Sequence, residues 1–332
     1  PRTHGMTLFV LGATTTIWTR PAVDTLNIIR RAFDASTRAS DGTYAGYAMG
    51  HEVQNLLFQG RPMSEVLAAL EQRWDVVRGL FPSEKEPPLI VRLFRIQAHQ
   101  LALALRGEVH LQDDLASTDF DPREHVDELT TSRNAAGLGE WYWKLLLVSM
   151  LADDLEHARS ASDRLRPWEF ATAGQPFSID IAMLRALLAA RTGDAASLKK
   201  NAAFLRKAAS LSPACQSRVH FVNGLVAYLS ADTNAAREAF VEALRITRAE
   251  KNLVLSGFIA EWLAVVCDRT GMPEAAHSYR ELACSAFGGF GATIAVDRLR
   301  GRTPERVTGR RDEQTSTHRD ASVIDLDLVL RA

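Results

Sequence analysis

The stretch "GLVAYLSADTNAAREAFVEAL", residues 224–244, carries the pattern that decides the fold. Small residues stand at Gly224, Ala236 and Ala243, and the bulky Phe240 lies between the last two. Two helices can cross closely only where their side chains are small, and paired helices need a short turn between them. The stretch therefore predicts two packed helices joined by a turn near Ala231.

The same spacing recurs on both sides of this stretch. Ala186 and Ala264 stand 38 and 40 residues from Gly224, and a turn residue follows seven positions after each, at Gly193, Ala231 and Gly271. Asp194 and Asp232 follow two of these turns, as N-caps of the next helices would. Positions assigned to repeat packing are Ala186, Gly193, Gly224, Ala236, Phe240, Ala243, Ala264, Gly271, Ala276 and Ala283.

This register matches the tetratricopeptide repeat, although Leu198 occupies a position where alanine is usual. The repeat length exceeds the usual ~34 residues, so each pair carries about one extra helical turn. We predict an all-α fold, a right-handed α-solenoid of tetratricopeptide-like helix pairs. The alternative is a non-repetitive helical bundle in which abundant alanines fall at these positions by chance.

The rest of the chain also reads as helix. Apolar residues recur at spacings of three and four, and no period-two strand pattern occurs. Ser64 and Asp121 are predicted N-caps, and the "GGFG" at 288–291 is a predicted helix break. The predicted helices before the repeats are 20–40, 44–59, 64–80, 89–106, 121–132, 137–152 and 156–165, with a loop at 166–176.

These patterns divide the chain into three parts. Residues 1–19 are an N-terminal segment or the cut edge of a longer protein, and 20–299 form the tetratricopeptide-like domain. Residues 300–332 have the composition of a polar linker, followed by a short apolar helix from Val323 to Leu330.

Composition narrows the function. The net charge is −1, so no global field would recruit nucleic acid or an anionic membrane. No apolar run approaches the ~20 residues of a membrane span. The three cysteines, Cys215, Cys267 and Cys284, are predicted to be buried reduced thiols of a cytoplasmic protein, in preference to a disulfide or metal site.

Catalytic motifs are missing from the sequence. There is no GxxxxGK[ST] phosphate loop and no GxSxG elbow. His51 and Glu52 begin like a zinc-protease motif, but no second histidine follows at the required spacing. We therefore predict no catalytic residues, no metal and no cofactor, and we expect that the chain is not an enzyme.

Two clusters are candidate binding residues. Arg92, Arg95 and His99 lie about one turn apart on an otherwise apolar helix and could hold an anionic partner in a groove; the alternative is the solvated edge of a buried helix. Trp141, Trp143 and Lys144 open another helix, where at least one aromatic ring could reach an inner groove; the alternative is packing between helices.

The stretch "NAAREAFVEALRITRAEKNLVLSGFIAEWLAVVCDRTGMPEAAHSYRELACSAFGGFGATIAVDRL", residues 234–299, resembles the helical-repeat region of very large bacterial signalling proteins. Those chains fuse a serine/threonine kinase-like domain, an AAA-type (STAND) ATPase, a tetratricopeptide-like region, a GAF domain and often a sensor histidine kinase. The matching positions are Ala236, Phe240, Ala243, Glu261, Gly271, Ala276, Tyr279, Ala283, Gly291, Ala292 and Leu299.

The likeness extends to the stretch from Trp18 to Val66 and to the tail "VIDLDLVLRA", as a loose pattern over most of the chain. The kinase, ATPase and histidine-kinase motifs themselves are absent. The resemblance implies a non-catalytic sensor and interaction segment that binds a protein partner, a neighbouring domain or a small ligand in its concave groove and regulates adjacent modules. The alternatives are a freestanding solenoid receptor for a peptide or small molecule, or an enzyme whose site is assembled from distant helices.

Overall fold

The computed structural model describes residues 2–84 and 86–301. Within them every regular element is a helix and no strand forms, which confirms the all-α class. The first eight helices are α1 (Arg2–Val10), α2 (Ala22–Arg38), α3 (Gly42–Phe58), α4 (Met63–Gly79), α5 (Leu89–Arg106), α6 (Pro122–Thr131), α7 (Ala135–Ala152) and α8 (Leu155–Leu165). The others are α9 (Glu169–Thr172), α10 (Pro176–Thr192), α11 (Ala195–Ala209), α12 (Gln216–Leu229), α13 (Thr233–Glu250), α14 (Leu253–Arg269), α15 (Pro273–Phe290) and α16 (Thr293–Leu299).

Short polar side chains fix where many helices begin. Asp121, Asp194 and Asp232 accept the backbone N–H of Arg123, Ser197 and Ala235, which confirms the three predicted caps. The prediction for Ser64 is wrong, because α4 already begins at Met63, directly after Pro62, and has no side-chain cap. Pro62 has an extended backbone conformation and takes the N-cap position itself, so α4 begins at Met63, before Ser64.

One other segment differs from its prediction. The predicted loop at 166–176 contains a 3₁₀ turn, Arg166–Trp168, and the short helix α9. Residues 2–18 are helical throughout and pack on α2 and α3, so they belong to the folded body. The "GGFG" break falls at its last residue, since α15 runs through Phe290 and Gly291 takes a left-handed conformation with φ of 100°. The predicted apolar helix at 323–330 lies outside the described residues.

The small-residue register falls at the contacts between helices. Ala186, Ala236, Ala243, Ala264, Ala276, Ala283 and Phe240 are all buried. A Cβ atom on Gly224 would lie 2.4 Å from the Phe240 ring, so α12 and α13 cross closely at this point. Gly193, Ala231 and Gly271 all have positive φ, of 73°, 61° and 74°, at the turns between the paired helices.

Helices that neighbour in sequence pack together, as in α12 with α13 and α14 with α15. Four helices, α3, α7, α10 and α14, are buried along most of their length and form the core. Distant parts of the chain also meet, because the carbonyl of Phe58 at the end of α3 accepts from Arg218 at 2.7 Å and from Asn252 at 3.1 Å. Near the other end, Arg298 of α16 donates to the carbonyl of Leu151 in α7 at 3.0 Å.

Candidate functional site

The first predicted cluster lies on α5 with its charges already paired. Arg95 donates two hydrogen bonds to Glu71 of α4, at 2.9 and 3.1 Å, and His99 contacts the same carboxylate at 2.8 Å. Arg92 pairs with Glu86 at 2.9 Å and with Glu128 at 3.4 Å. The hydrogen bond from Arg95 is the main cause that lowers the pKa of Glu71, so this carboxylate stays ionised. An anionic partner would have to displace carboxylates of this chain.

The second predicted cluster lies inside the protein. Trp141, Trp143 and Lys144 are at most 1% exposed. The Trp143 ring stacks on Phe177 of α10 with ring centroids 5.3 Å apart, and Trp141 packs against His125 of α6. Their burial favours the alternative interpretation, packing between helices, over a position on an open groove.

Lys144 belongs to a buried polar network that joins three helices. Its ammonium donates to Glu140, one turn earlier in α7, and to the side-chain oxygen of Gln97 in α5 at 3.0 Å. The other oxygen of Glu140 accepts from Gln54 of α3 at 2.8 Å. The Gln97 amide also donates to the carbonyl of Gly137 at 3.1 Å, so this network ties α3, α5 and α7 together.

Burial shifts the protonation equilibria in this region. It lowers the pKa of Lys144, and the charge and hydrogen bond of Glu140 oppose the shift. The pKa of His125 is lowered to about 4 by burial and by the charge of Lys144, and that of His51 to about 4 by burial. The amide nitrogen of Gln97 lies 3.1 Å from Nε2 of His125, and a neutral imidazole can accept that hydrogen bond. Both histidines are therefore neutral at pH 7.

The i,i+4 spacing of Glu140 and Lys144, and Gln97 among the apolar residues of α5, were signals of this network that the sequence interpretation did not use. A polar residue among apolar ones needs a buried partner. Its partner cannot be identified from spacing, because it comes from another helix.

A second charged cluster lies between α10, α14 and α16. Glu261 of α14 accepts from Arg191 of α10 at 2.6 Å and from Arg298 of α16 at 2.7 and 2.9 Å. Burial raises the pKa of Glu261, but the hydrogen bonds and charges of Arg298 and Arg191 outweigh it and hold this pKa below its usual value. The carboxylate is thus ionised and satisfied by residues of the chain, which gives it a structural role.

An open groove of about 940 Å³ lies on the surface over α10. Helix α10 forms its floor, α8 forms one wall and α11 the other. Sequence interpretation missed this groove. Its floor residues recur on one face of α10, at positions Ser178, Ile181, Ala182, Arg185, Leu188, Ala189 and Thr192.

Within residues 2–84 and 86–301 no group of three His, Cys, Asp or Glu side chains is placed to hold a metal ion. All three cysteines are free and buried, and burial raises the pKa of each thiol. Across the same part of the chain no helix combines the length and the apolar character needed to cross a bilayer.

The candidate site is therefore the groove over α10, whereas the two clusters predicted from sequence are paired or buried. Comparison of the chain with protein-family models, curated proteins and solved structures finds no match.

Proposed function

We propose that this chain is a non-catalytic interaction scaffold, a right-handed solenoid of tetratricopeptide-like helix pairs that binds a partner polypeptide. The groove between α8 and α11 supports this proposal best, because it is an open channel, with the exposed ring of Phe204 on one wall, that a partner chain could occupy. The resemblance of residues 234–299 to signalling proteins suggests the setting: a cytoplasmic sensor segment whose partner or ligand changes the activity of neighbouring kinase and ATPase modules.

Helical-peptide display tests the binding role. A library of helix-forming peptides is selected on the full chain, and each binder is measured again on Phe204→Ala, which removes an exposed aromatic ring from the groove wall. Leu211→Ala is the matched control, because Leu211 is also a large exposed apolar residue but lies outside the groove. We expect binders that Phe204→Ala weakens and Leu211→Ala does not. Equal effects of both variants, or no binders at all, would contradict the proposal.

The signalling role has a separate test. Sequencing the gene on both sides of this chain should show kinase, ATPase or GAF sequence in the same reading frame. A stop codon directly after Ala332 would instead favour a freestanding receptor. The purified chain should hydrolyse ATP no faster than the buffer background, and measurable turnover that survives repurification would contradict a non-catalytic role.

A further inference from the structure

The groove over α10 is long enough for a helix of a partner. Its floor runs from Ser178 to Thr192, which at 1.5 Å per residue is about 21 Å, or four helical turns. Ile181 and Leu188 line this floor seven residues apart on one face of α10, but both are buried. The more open side chains of the floor are the polar ones, Ser178, Arg185 and Thr192.

The surroundings of the groove favour a helix over an extended peptide. An extended peptide gains affinity when its backbone bonds to an open strand edge. The floor and walls of this groove are helices, whose interior N–H and carbonyl groups are already bonded within each helix. A helical partner satisfies its own backbone and needs only side-chain contacts, so its desolvation costs less.

The charges that remain open in the groove are positive on both walls. Arg159 on α8 and Lys200 on α11 are exposed and make no ion pair within residues 2–84 and 86–301. The other two cations of the groove are already paired, Arg166 with Asp163 at 3.2 Å and Arg185 with Glu169 at 2.5 Å.

The remaining acid of the groove, Asp194, is engaged in capping the start of α11, where its carboxylate accepts the N–H of Ser197 at 3.0 Å. The positive end of that helix offsets its charge. An apolar helix that carries carboxylates on both flanks would therefore meet a cation on each wall.

An exposed aromatic ring lies beside one of these cations. Phe204 is 44% exposed and follows Lys200 by four residues, so both side chains lie on one face of α11 and line the groove. Aromatic residues are enriched at protein–protein interfaces, and charges at the rim favour partners of opposite charge. This pair supplies an apolar contact and a charge contact within one helical turn.

We propose that the groove binds an amphipathic helix of a partner protein, about four turns long, with an apolar stripe and acidic flanks. The inference rests on the proposed function and names the chemistry of the partner. The apolar stripe packs on the exposed ring of Phe204, and its carboxylates pair with Arg159 and Lys200.

Three designed peptides of about 16 residues test the inference by fluorescence anisotropy with the full chain. One has a leucine stripe with glutamate flanks, the second has the same stripe with lysine flanks, and the third has the composition of the first in scrambled order. We expect the glutamate peptide to bind at least about tenfold more tightly than the other two, and added salt to weaken it.

Charge reversals locate the contact. Arg159→Glu and Lys200→Glu should each weaken the glutamate peptide about tenfold and strengthen the lysine peptide. Lys199→Glu is the matched control, because Lys199 is exposed on the same helix but lies outside the groove, and it should change affinity less than about twofold. All three residues are exposed, so circular dichroism should show unchanged folding.

Three results would overturn the inference. One is equal binding of the glutamate and lysine peptides, and another is an equal effect of Lys199→Glu and Lys200→Glu. The third is displacement of the glutamate peptide by a synthetic peptide of residues 321–332 at equal concentration, which would make the occupant a segment of this chain. If display selects groove binders without acidic flanks, the inference fails while the proposed function stands; if it selects none, both fail.

Discussion

At the scale of single residues, Ala231 is the clearest departure from the repeat. It stands where Gly193 and Gly271 stand in the neighbouring pairs and has φ of 61°, a left-handed conformation that costs a residue with a Cβ roughly 1–2 kcal/mol. Its two counterparts are glycines, which adopt this conformation without strain.

Ala231→Gly should therefore stabilise the protein by about 0.5–1 kcal/mol, since relief of strain exceeds the added entropy of the unfolded chain. The free energy of unfolding in urea measures the change. Ala203→Gly, the same substitution at an exposed position inside α11, is the control and should destabilise by about the same amount. A loss of stability in Ala231→Gly would show that the turn is not strained.

The buried pair of Lys144 and Glu140 predicts an asymmetric mutational response. Lys144→Met leaves the Glu140 carboxylate buried without its cation and should cost about 3–5 kcal/mol. The double variant Lys144→Met/Glu140→Gln removes both charges and should recover most of that loss. Urea unfolding of wild type, both single variants and the double variant measures the coupling. Additive effects would contradict a direct interaction between the two charges.

Protonation of two buried histidines gives the fold a sensitivity to acid. The pKa of His51 and of His125 is lowered from 6.5 to about 4 in the folded chain. Between these values the unfolded state binds more protons, so the free energy of unfolding falls as pH drops from about 6.5 to about 4, by at most roughly 3 kcal/mol for each histidine. Thermal unfolding measured across this pH range should show that the free energy of unfolding falls less in His51→Phe and in His125→Gln than in the wild type. An unchanged slope in both variants would contradict the assignment.

At the scale of helical elements, the close crossings depend on the absence of a side chain. Gly224 faces the ring of Phe240, and Gly257 faces Phe287, each at 2.4 Å from the position a Cβ would take. Glycine inside a helix costs stability relative to alanine, so these positions exchange helix propensity for a closer approach of two helices.

Gly224→Ala should destabilise the protein by about 1–3 kcal/mol, because the new methyl group collides with a ring that is itself fully buried. Gly288→Ala in α15 is the matched control. Its Cβ would meet nothing closer than 3.8 Å, so it should stabilise the protein by up to about 1 kcal/mol through helix propensity. Urea unfolding distinguishes the two, and stabilisation by both substitutions would show that α12 and α13 have room to separate.

At the scale of the whole molecule, the two halves of the chain are bonded to each other. Gly60, just after α3, accepts the N–H of Leu253 at 3.1 Å, beside the bonds from Arg218 and Asn252 to Phe58. A linear repeat array can unfold locally because each unit contacts only its neighbours. Hydrogen bonds between distant helices couple them, so local unfolding near α3 should also affect α14.

Asn252→Ala tests this coupling. It removes the cap of α14 and one bond to Phe58, and should cost about 1–3 kcal/mol. Hydrogen exchange should rise at the start of α14 and also near residues 56–61, although these are almost 200 positions apart in the chain. Asp232→Ala is the control. Asp232 caps α13 but makes no hydrogen bond to α3, so its loss should raise hydrogen exchange only in α13. A purely local effect of Asn252→Ala would contradict the coupling.

The sequence by itself determined most of the long helices and their close crossings. Helix ends depend on neighbours within four residues, so Asp121, Asp194 and Asp232 could be assigned as caps from local pattern, and α5 was predicted with both of its boundaries. The small-residue register could also be counted, because a close crossing restricts the size of each residue in it.

Only the tertiary structure decided which helix faces remain open. Trp141 and Trp143 point in different directions from α7, and both are buried because α6 covers one and α10 the other. Arg95 and His99 both contact Glu71, a residue of another helix. The groove over α10 exists because α8 and α11 stand on either side of it. Burial and charge pairing depend on segments distant in sequence, and helical periodicity carries no information about which of them will meet.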